Sequence, residues 1–166
     1  VTNDFSKWGQ FPLIYFLILM FIGGCAGSTA CGIKIFRVQI LYQFISNQLK
    51  RIIYPRGIFN IKYDKNNVDE KFMASIISFI FLYILIFFVI TALLSVDGLD
   101  FITAISAAAT SISNVGPGLG DVIGPNGNFS YLSNFSKWIL SIGMILGRLE
   151  LFAVLVLFIP SFWRKY

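Results

Sequence analysis

The sequence contains no histidine, two cysteines and eight acidic residues in a chain of 166. Without histidine, the side chain that most often serves as a general base is missing, and we expect no enzyme activity. Two cysteines alone cannot complete a zinc site or a haem attachment motif. Charged residues are only 13% of the chain and hydrophobic residues are 57%, a balance that a water-soluble domain would not tolerate on its surface. The composition therefore predicts a membrane protein.

Three long hydrophobic segments predict three membrane-spanning helices. Residues 8–33 and 72–96 carry no charge, and residues 132–163 carry only three charged side chains. At a rise of 1.5 Å per residue, a helix over 72–96 is about 37 Å long, which is enough to cross a bilayer. Three spans place the two ends of the chain on opposite sides of the membrane.

The distribution of basic residues gives the orientation. Eight of the 13 lie between Lys34 and Lys71, two more lie among the last three residues, and the opposite side holds only Lys7 and Lys137. Lys and Arg are enriched in cytoplasmic loops, so we expect the loop 34–71 and the C-terminus on the cytoplasmic side of the inner or plasma membrane. A basic loop between spans indicates topology and contact with the lipid bilayer, and no nucleic-acid partner is expected.

A four-residue motif occurs twice, as Phe5-Ser-Lys-Trp8 and as Phe135-Ser-Lys-Trp138. Each copy stands at the outer mouth of a helix that runs inward, with its Trp and Lys at the level of the headgroups. The repeat indicates a duplication, in which the first span is the last helix of one unit and residues 70–163 form a second unit. Because the sequence begins at Val1 without an initiator methionine or a signal peptide, we expect it to be part of a longer chain.

Between the second and third spans, residues 101–119 predict a re-entrant segment, which enters the membrane and returns to the same side. Only about half of these residues are apolar, so the segment must be buried against protein and not against lipid. Asp97 or Asp100 is expected to cap a helix over 100–113, and Gly116-Pro-Gly118 is expected to end it. The alternative is an ordinary outer loop with a Gly-Pro turn, which the absence of charge along the segment disfavours.

The end of this segment predicts a cation site. A helix that enters from outside points its C-terminal end, with about half a negative charge, toward the membrane interior. The chain then returns with backbone carbonyls that have no helical partner, and such carbonyls can replace the water shell of a cation. Gly116 has no Cβ and can adopt the angles that turn a carbonyl toward an axis. The predicted ion-binding residues are Ser113, Asn114, Val115, Gly116, Pro117 and Gly118.

A second unusual run lies in the first span, where small residues replace the leucine and isoleucine expected of a lipid-facing helix. It comprises Gly23, Gly24, Cys25, Ala26, Gly27, Ser28, Thr29, Ala30, Cys31 and Gly32. Each glycine costs about 1 kcal/mol relative to alanine inside a helix, so we expect the helix to break here, beside protein or a water-filled cavity. The alternative is close helix packing through small residues, which explains one or two glycines but not four.

The same run has two resemblances to enzyme motifs, and neither holds. A phosphate-binding loop would need its Lys one residue before Lys34, a Ser or Thr in place of Ile35, and a preceding strand. Ser28 beside glycines suggests an intramembrane serine protease, but only Lys34, at the inner interface, could serve as its base. Neither a nucleotide site nor a protease is expected.

Arg148 is the most costly residue of the chain, because it lies near the middle of the third span. A charge there costs about 2.5 to 3.5 kcal/mol or more unless it reaches water or a partner, so Arg148 must face the interior. Glu150 is a candidate partner by charge, but residues two apart point to nearly opposite sides of a helix. A structural role, in which Arg148 bonds to the ends of half-helices, stays open.

Three runs occur in a specific order along the chain. They are Gly23-Gly-Cys-Ala-Gly-Ser-Thr-Ala-Cys-Gly-Ile-Lys34, Ser113-Asn-Val-Gly-Pro-Gly-Leu-Gly120, and Gly147-Arg-Leu-Glu-Leu-Phe152 followed by Pro160-Ser-Phe-Trp-Arg164. Together they resemble the C-terminal part of the TrkH-type potassium uptake proteins, in the Trk/Ktr/HKT superfamily. The resemblance covers essentially the whole chain. It implies an all-α, potassium-channel-like membrane protein with four helix/pore-loop/helix repeats around one axis.

In that arrangement the chain supplies parts of two repeats. They are the last, broken transmembrane helix of the third repeat (1–50), a cytoplasmic basic loop (51–70) and the complete fourth repeat (71–166). The fourth repeat is expected to contain a helix at 72–96, a pore helix at 100–113, a selectivity filter at 113–118, an outer loop at 119–131 and a helix at 132–163. Residues 23–32 are implied to form an intramembrane gate below the filter, with Arg148 projecting into the permeation path beside it.

The resemblance also implies the transported ion and the partners. K+ is expected at Asn114, Val115 and Gly116 as cargo, and no cofactor is expected. The implied partners are a second copy of the chain, in a homodimer, and a cytoplasmic nucleotide-binding regulatory subunit of the TrkA type. The basic stretch Lys50, Arg51, Arg56 and Lys62 suits that subunit and lipid equally well.

The function implied is channel-like uptake of K+ across the membrane. One alternative is an ion-coupled secondary transporter, such as a K+/H+ or K+/Na+ symporter, which would be expected to carry a titratable group at midplane depth. Only Glu150 qualifies for that role. Further alternatives are a Na+-permeable member of the same superfamily and a scaffold subunit that conducts no ions.

Overall fold

The chain folds into helices joined by short loops. The computed structural model describes residues 8–57, 59–63, 66–149, 151–157 and 159–163. The helices are α1 (Gln10–Phe21), α2 (Ile35–Ile53), α3 (Glu70–Val96), α4 (Phe101–Ser113), α5 (Asn134–Arg148), α6 (Leu151–Leu157) and α7 (Pro160–Trp163), with a 3-10 turn at Phe129–Tyr131. An antiparallel hairpin of β1 (Lys62–Tyr63) and β2 (Asn66–Asn67) precedes α3. Glu150, the first three residues of the Phe5-Ser-Lys-Trp8 motif, Arg164 and Lys165 lie outside the described residues.

Among the described residues, α3 is the one helix that is long and apolar enough to cross a membrane without a break. Its 27 residues extend about 40 Å at 1.5 Å per residue. It includes all of the charge-free run 72–96 and begins at Glu70, where a negative charge suits the N-terminal end of a helix. It ends before Asp97 and Gly98, and Gly98 has a φ of +87° that turns the chain.

The first hydrophobic segment, residues 8–33, forms one short helix followed by a loop, and α2 begins only after it. α1 has 12 residues and is only about 18 Å long, which is too short to cross a bilayer. Ile22 and Ile33 form a parallel bridge, in which the N–H of Gly23 donates to the carbonyl of Ile33 at 2.9 Å. The chain therefore resumes its original direction after an excursion. The bridge closes the neck of a loop that contains residues 23–32, the run whose composition predicts a break.

α2 lies against the first half of α3. Ile40 is fully buried and packs against Ile76 of α3, and the guanidinium of Arg37 lies 3.9 Å from the ring centre of Phe79. The segment 34–71, expected to be one cytoplasmic loop, therefore contains a 19-residue helix, much of which runs beside α3. Arg37 is compensated within the protein, because its cation lies over an aromatic ring.

α4 turns back along α3 and packs between α3 and α5. Its last residue, Ser113, shares a 2.7 Å hydrogen bond with the hydroxyl of Tyr83, which stands at the middle of α3. α4 thus starts just beyond the end of α3 and stops at half its length, as a segment that enters and returns would do. Close packing is possible because the side chains that face its neighbours are small. The fully buried alanines are Ala104, Ala107, Ala108 and Ala109.

The two aspartates near the start of α4 have different surroundings. Asp100 precedes the first residue of α4, but its side chain makes no capping hydrogen bond. Asp97 instead accepts hydrogen bonds from the hydroxyls of Ser133 and Ser136, the latter at 2.6 Å. The carboxylate expected to cap α4 therefore joins the end of α3 to the start of α5.

The last hydrophobic segment is not the continuous helix predicted over 132–163. The described residues form α5, α6 and α7, and the axes of α5 and α6 differ by 108°. Gly147 approaches α4 so closely that a Cβ at this position would collide with the carbonyl of Ile112, and α5 ends one residue later. Pro160 begins α7, where a helix does not use its first N–H groups. The break thus follows from a tertiary contact that hydropathy does not encode.

Candidate functional site

The backbone after α4 runs back along the helix that it has just left. The N–H of Val115 donates to the carbonyl of Thr110 at 3.1 Å, and the N–H of Gly116 donates to Thr110 Oγ1 at 2.9 Å. Further along, the buried hydroxyl of Ser106 donates to the carbonyl of Leu119 at 3.2 Å. Residues later in the returning segment bond to residues earlier in α4, so the returning segment is antiparallel to α4.

The backbone carbonyls of residues 114–118 are the main chemical feature of the returning segment. Among the described residues, no backbone N–H donates to any of these five carbonyls. Residues 114–117 are exposed, whereas Gly118 is buried. Unpaired carbonyls beside the partly negative C-terminal end of α4 are suited to hold a dehydrated cation.

Gly116 is required for its backbone angle and not for lack of space. Its φ is +116°, which L side chains rarely adopt, yet a Cβ built there meets no atom within 4 Å. Asn114 is the one described residue other than glycine with a positive φ, at 51°, and it ends α4 in the left-handed conformation. Its side-chain Nδ2 donates to the carbonyl of Met144 at 3.1 Å. The start of the returning segment is therefore attached to α5.

Arg148 attaches the loop 23–32 to the end of α5. Its Nη1 donates to the carbonyl of Thr29 at 2.7 Å and lies 3.9 Å from the Sγ of Cys31. Among the residues that the structure describes, both of these partners of Arg148 lie in the loop. Residues 25–30 are exposed, so the contact with Arg148 is one of few that hold the tip of the loop.

A cavity of about 190 Å³ lies where the loop, α2, α3 and α5 meet. It is lined by Ser28, Thr29, Ala30, Cys31, Gly32, Lys34, Arg37, Phe79, Tyr83, Gly147, Arg148 and Leu151. Lys34, Arg37 and Arg148 are the charged side chains among the lining residues that the structure describes. Because Tyr83 lines the cavity and also bonds to Ser113, the cavity adjoins the inner end of the returning segment.

The predicted site residues form two groups that meet near the middle of α3. Residues 113–118 gather around the end of α4, and residues 23–32 gather with Arg148 around the cavity. Sequence reasoning missed Tyr83 and Thr110, whose hydroxyls hold these groups in place. Their signal is present in the sequence, since each is a hydroxyl-bearing residue within a hydrophobic stretch. No three His, Cys, Asp or Glu side chains cluster within the part of the chain that the structure describes.

The chain matches known proteins along nearly its whole length. The TrkH family, described as cation transport proteins, matches residues 1–165. The potassium uptake protein TrkI of Halomonas elongata is 43% identical over 164 residues, and TrkH of Escherichia coli K12 is 36% identical over 164 residues. Each alignment covers 99% of this chain and 33% of the relative.

A solved structure of a potassium transporter has a similar fold. The crystal structure of the potassium transporter TrkH from Vibrio parahaemolyticus matches with a TM-score of 0.88 at 36% identity, over 98% of this chain and 34% of that chain. These matches confirm the resemblance inferred from the three sequence runs. The chain spans about a third of the length of the relatives that it matches.

Proposed function

Because this chain belongs to the TrkH family of cation transport proteins, we propose that it forms one quarter of a potassium-selective path through the membrane. In this proposal α3, α4 and α5–α7 are one helix/pore-loop/helix repeat, and α1 with α2 is the last helix of the neighbouring repeat. The observation that carries the proposal is α4, which stops at the middle of α3 and is followed by five carbonyls without backbone partners. Potassium is the proposed ion because the relatives are named potassium uptake proteins.

The proposed filter strand is Ser113–Gly118, with K+ held by carbonyls of Asn114, Val115 and Gly116. Each carbonyl replaces part of the hydration shell of the ion, and three further strands outside this chain complete the ring. Thr110 and the side chain of Asn114 fix the strand from either side. The carbonyls therefore need little reorganisation when the ion arrives.

The proposed gate is the loop 23–32 together with Arg148. In the arrangement described, the bond from Arg148 to the carbonyl of Thr29 holds the loop next to the inner end of the filter strand. The positive charge of Arg148 adds an electrostatic barrier to the steric one. Opening requires that this bond break and that the charge of Arg148 move away or be screened.

The whole protein is proposed to work as a homodimer in the inner or plasma membrane, with a cytoplasmic nucleotide-binding subunit that regulates it. The proposed contact surface for that subunit consists of Lys50, Arg56 and Lys62, which are exposed beyond the inner end of α3. Exposed cations suit an acidic protein surface and increase the rate of association. This orientation also leaves the outer loop 119–131 on the opposite side.

Gly116 and Gly98 offer a matched test of the filter. Both have a positive φ, +116° and +87°, and a Cβ at either meets no atom within 4 Å. Alanine should strain the backbone by about 1 to 2 kcal/mol at both positions, but only Gly116 lies in the proposed filter. In liposomes that contain the full-length protein, we expect Gly116→Ala to lower the ratio of K+ to Na+ flux, while Gly98→Ala lowers thermal stability alone.

Three results would overturn the proposal. K+ flux no greater than Na+ flux in the unmodified protein would indicate a Na+-permeable member of the family. Flux in strict stoichiometry with protons or Na+ would indicate a coupled symporter. No flux from the full-length protein with its regulatory subunit would indicate a scaffold.

A further inference from the structure

A second cavity, of about 410 Å³, lies at the inner end of α3 between α2, α3 and the hairpin. It is separate from the cavity beside Arg148 and shares no lining residue with it. Among the lining residues that the structure describes, two are charged, Arg51 at the end of α2 and Glu70 at the start of α3. The cavity therefore lies at the boundary where the charged inner segment gives way to the charge-free run of α3.

The polarity of the cavity changes along the direction of the membrane normal. On α3 the lining passes from Glu70 through Met73 to Ile77, about 10 Å deeper into the membrane. α2 runs the other way, and its lining passes from Arg51 to Phe44 over about the same distance. Both walls are thus polar at the inner surface and apolar toward the hydrocarbon. Amides of the hairpin segment and α2, from Asn47, Gln48, Asn60 and Asn67, add hydrogen-bonding groups to the lining.

The two charged residues lie on opposite walls, one on α2 and one on α3. Arg51 and Glu70 are both exposed, and neither forms an ion pair with any described residue. A ligand that carries one negative and one positive group would satisfy both at once. An ordinary membrane component with that charge pattern and an apolar tail is a phospholipid with a phosphodiester and a primary ammonium group.

We infer that this cavity binds a zwitterionic aminophospholipid of the inner leaflet. The phosphate lies at Arg51, where charge-assisted hydrogen bonds are strongest, and the ammonium lies at Glu70. An acyl chain covers Met73 and the exposed side of Ile77. An anionic lipid such as phosphatidylglycerol would supply no cation for Glu70, and a quaternary ammonium would supply no N–H donor.

The first test compares how well the unmodified protein retains phospholipids that differ only in their headgroup. Full-length protein in detergent is mixed with phosphatidylethanolamine, phosphatidylglycerol or phosphatidylcholine of identical acyl chains, and retained lipid is counted by native mass spectrometry. We expect phosphatidylethanolamine to be retained in preference to the other two. Equal retention of phosphatidylethanolamine and phosphatidylglycerol would overturn the inference, whatever the variants do.

Two charge-removing variants with matched controls locate the site. Arg51→Gln should weaken retention of every phospholipid by about tenfold, the effect of one hydrogen bond to a charged group. Glu70→Gln should abolish the preference for phosphatidylethanolamine over phosphatidylglycerol. Arg56→Gln and Asp69→Asn make the same charge changes next to the cavity but outside its lining, and they should change neither quantity. Equal losses in the controls would show a general charge effect and overturn the assignment.

Discussion

Tyr83 and Ser113 share a hydrogen bond of 2.7 Å between their hydroxyl groups, which joins the middle of α3 to the last residue of α4. The ring of Phe21, at the end of α1, packs edge-on against Tyr83 with centroids 6.2 Å apart. Tyr83 also lines the cavity that contains Arg148. One side chain therefore contacts the proposed filter strand, the proposed gate cavity and the helix that leads into the loop.

Tyr83→Phe is expected to destabilise the protein by about 1 to 3 kcal/mol, because it leaves the buried hydroxyl of Ser113 without its partner. Ser113→Ala should have a similar cost for the same reason. If the bond joins the two helices, the double variant will cost less than the sum of the two, as thermal unfolding can measure. Additive losses would contradict the link.

Arg148→Gln is expected to raise K+ flux in the absence of the regulatory subunit by about tenfold, because it removes a charged hydrogen bond to Thr29 and one cation from the cavity wall. Lys137 provides the control, since it lies on the same helix and its Nζ donates to the carbonyl of Ser130 at 2.8 Å. Lys137→Gln should leave the flux unchanged. Flux in Arg148→Gln equal to or below that of the unmodified protein would exclude a gating role for Arg148.

Thr110→Val is expected to lower the selectivity for K+ over Na+, because the side chain keeps its shape but no longer accepts from the N–H of Gly116. A strand that has lost this anchor can adjust to the smaller ion. Thr91→Val is the matched control, since the hydroxyl of Thr91 is also buried and donates to the carbonyl of Phe87 within α3. Reversal potentials measured with K+ and Na+ gradients report the ratio. The same loss in both variants would point to general loosening of the fold.

Asp97 is expected to make stability depend on pH at the junction of α3 and α5. The hydroxyls of Ser133 and Ser136 donate to its carboxylate and hold the pKa of Asp97 below its ordinary value of 3.8. A lowered pKa means that the contribution to stability is present above pH 3.8 and is lost as the pH falls through the lowered pKa. Thermal unfolding of Asp97→Asn should therefore differ from the unmodified protein at pH 7 and approach it in stronger acid.

A control separates this effect from loss of any acidic side chain near the end of α3. Asp100→Asn removes a carboxylate that makes no capping hydrogen bond in the described structure. It should unfold like the unmodified protein at neutral pH. A difference between Asp97→Asn and the unmodified protein that stays constant down to strong acid would contradict the assignment.

The sequence predicted the elements that depend on local composition. A charge-free run of helix length became α3, and the alanine-rich segment before Gly116 became α4, because both depend on residues close together in the chain. The placement of α2 and the break after Gly147 were not predictable in this way. The first depends on Arg37 over Phe79, and the second depends on contact between Gly147 and Ile112.

The features of the candidate site also divide into those that local sequence encodes and those that depend on distant contacts. Backbone irregularity at 23–32 and at 113–118 is encoded locally by glycine and proline, and the sequence located both runs. The contact between Arg148 and Thr29 spans 119 residues, so only the fold reveals it, although the cost of a charge near the middle of a span predicted that Arg148 needs a partner. Tyr83 was missed because a hydroxyl group within a helix bundle is less costly than a charge and so gives a weaker signal in the sequence.

The parallel bridge between Ile22 and Ile33 has a mechanical consequence. A loop whose two ends are fastened to each other can change its own conformation without changing the distance between the helices on either side of it. If residues 23–32 are the gate, opening is decoupled from motion of α1 and α2 and proceeds on the nanosecond to microsecond timescale of loops, faster than the rocking of whole domains. A crosslink between α1 and α2 would then leave conduction intact.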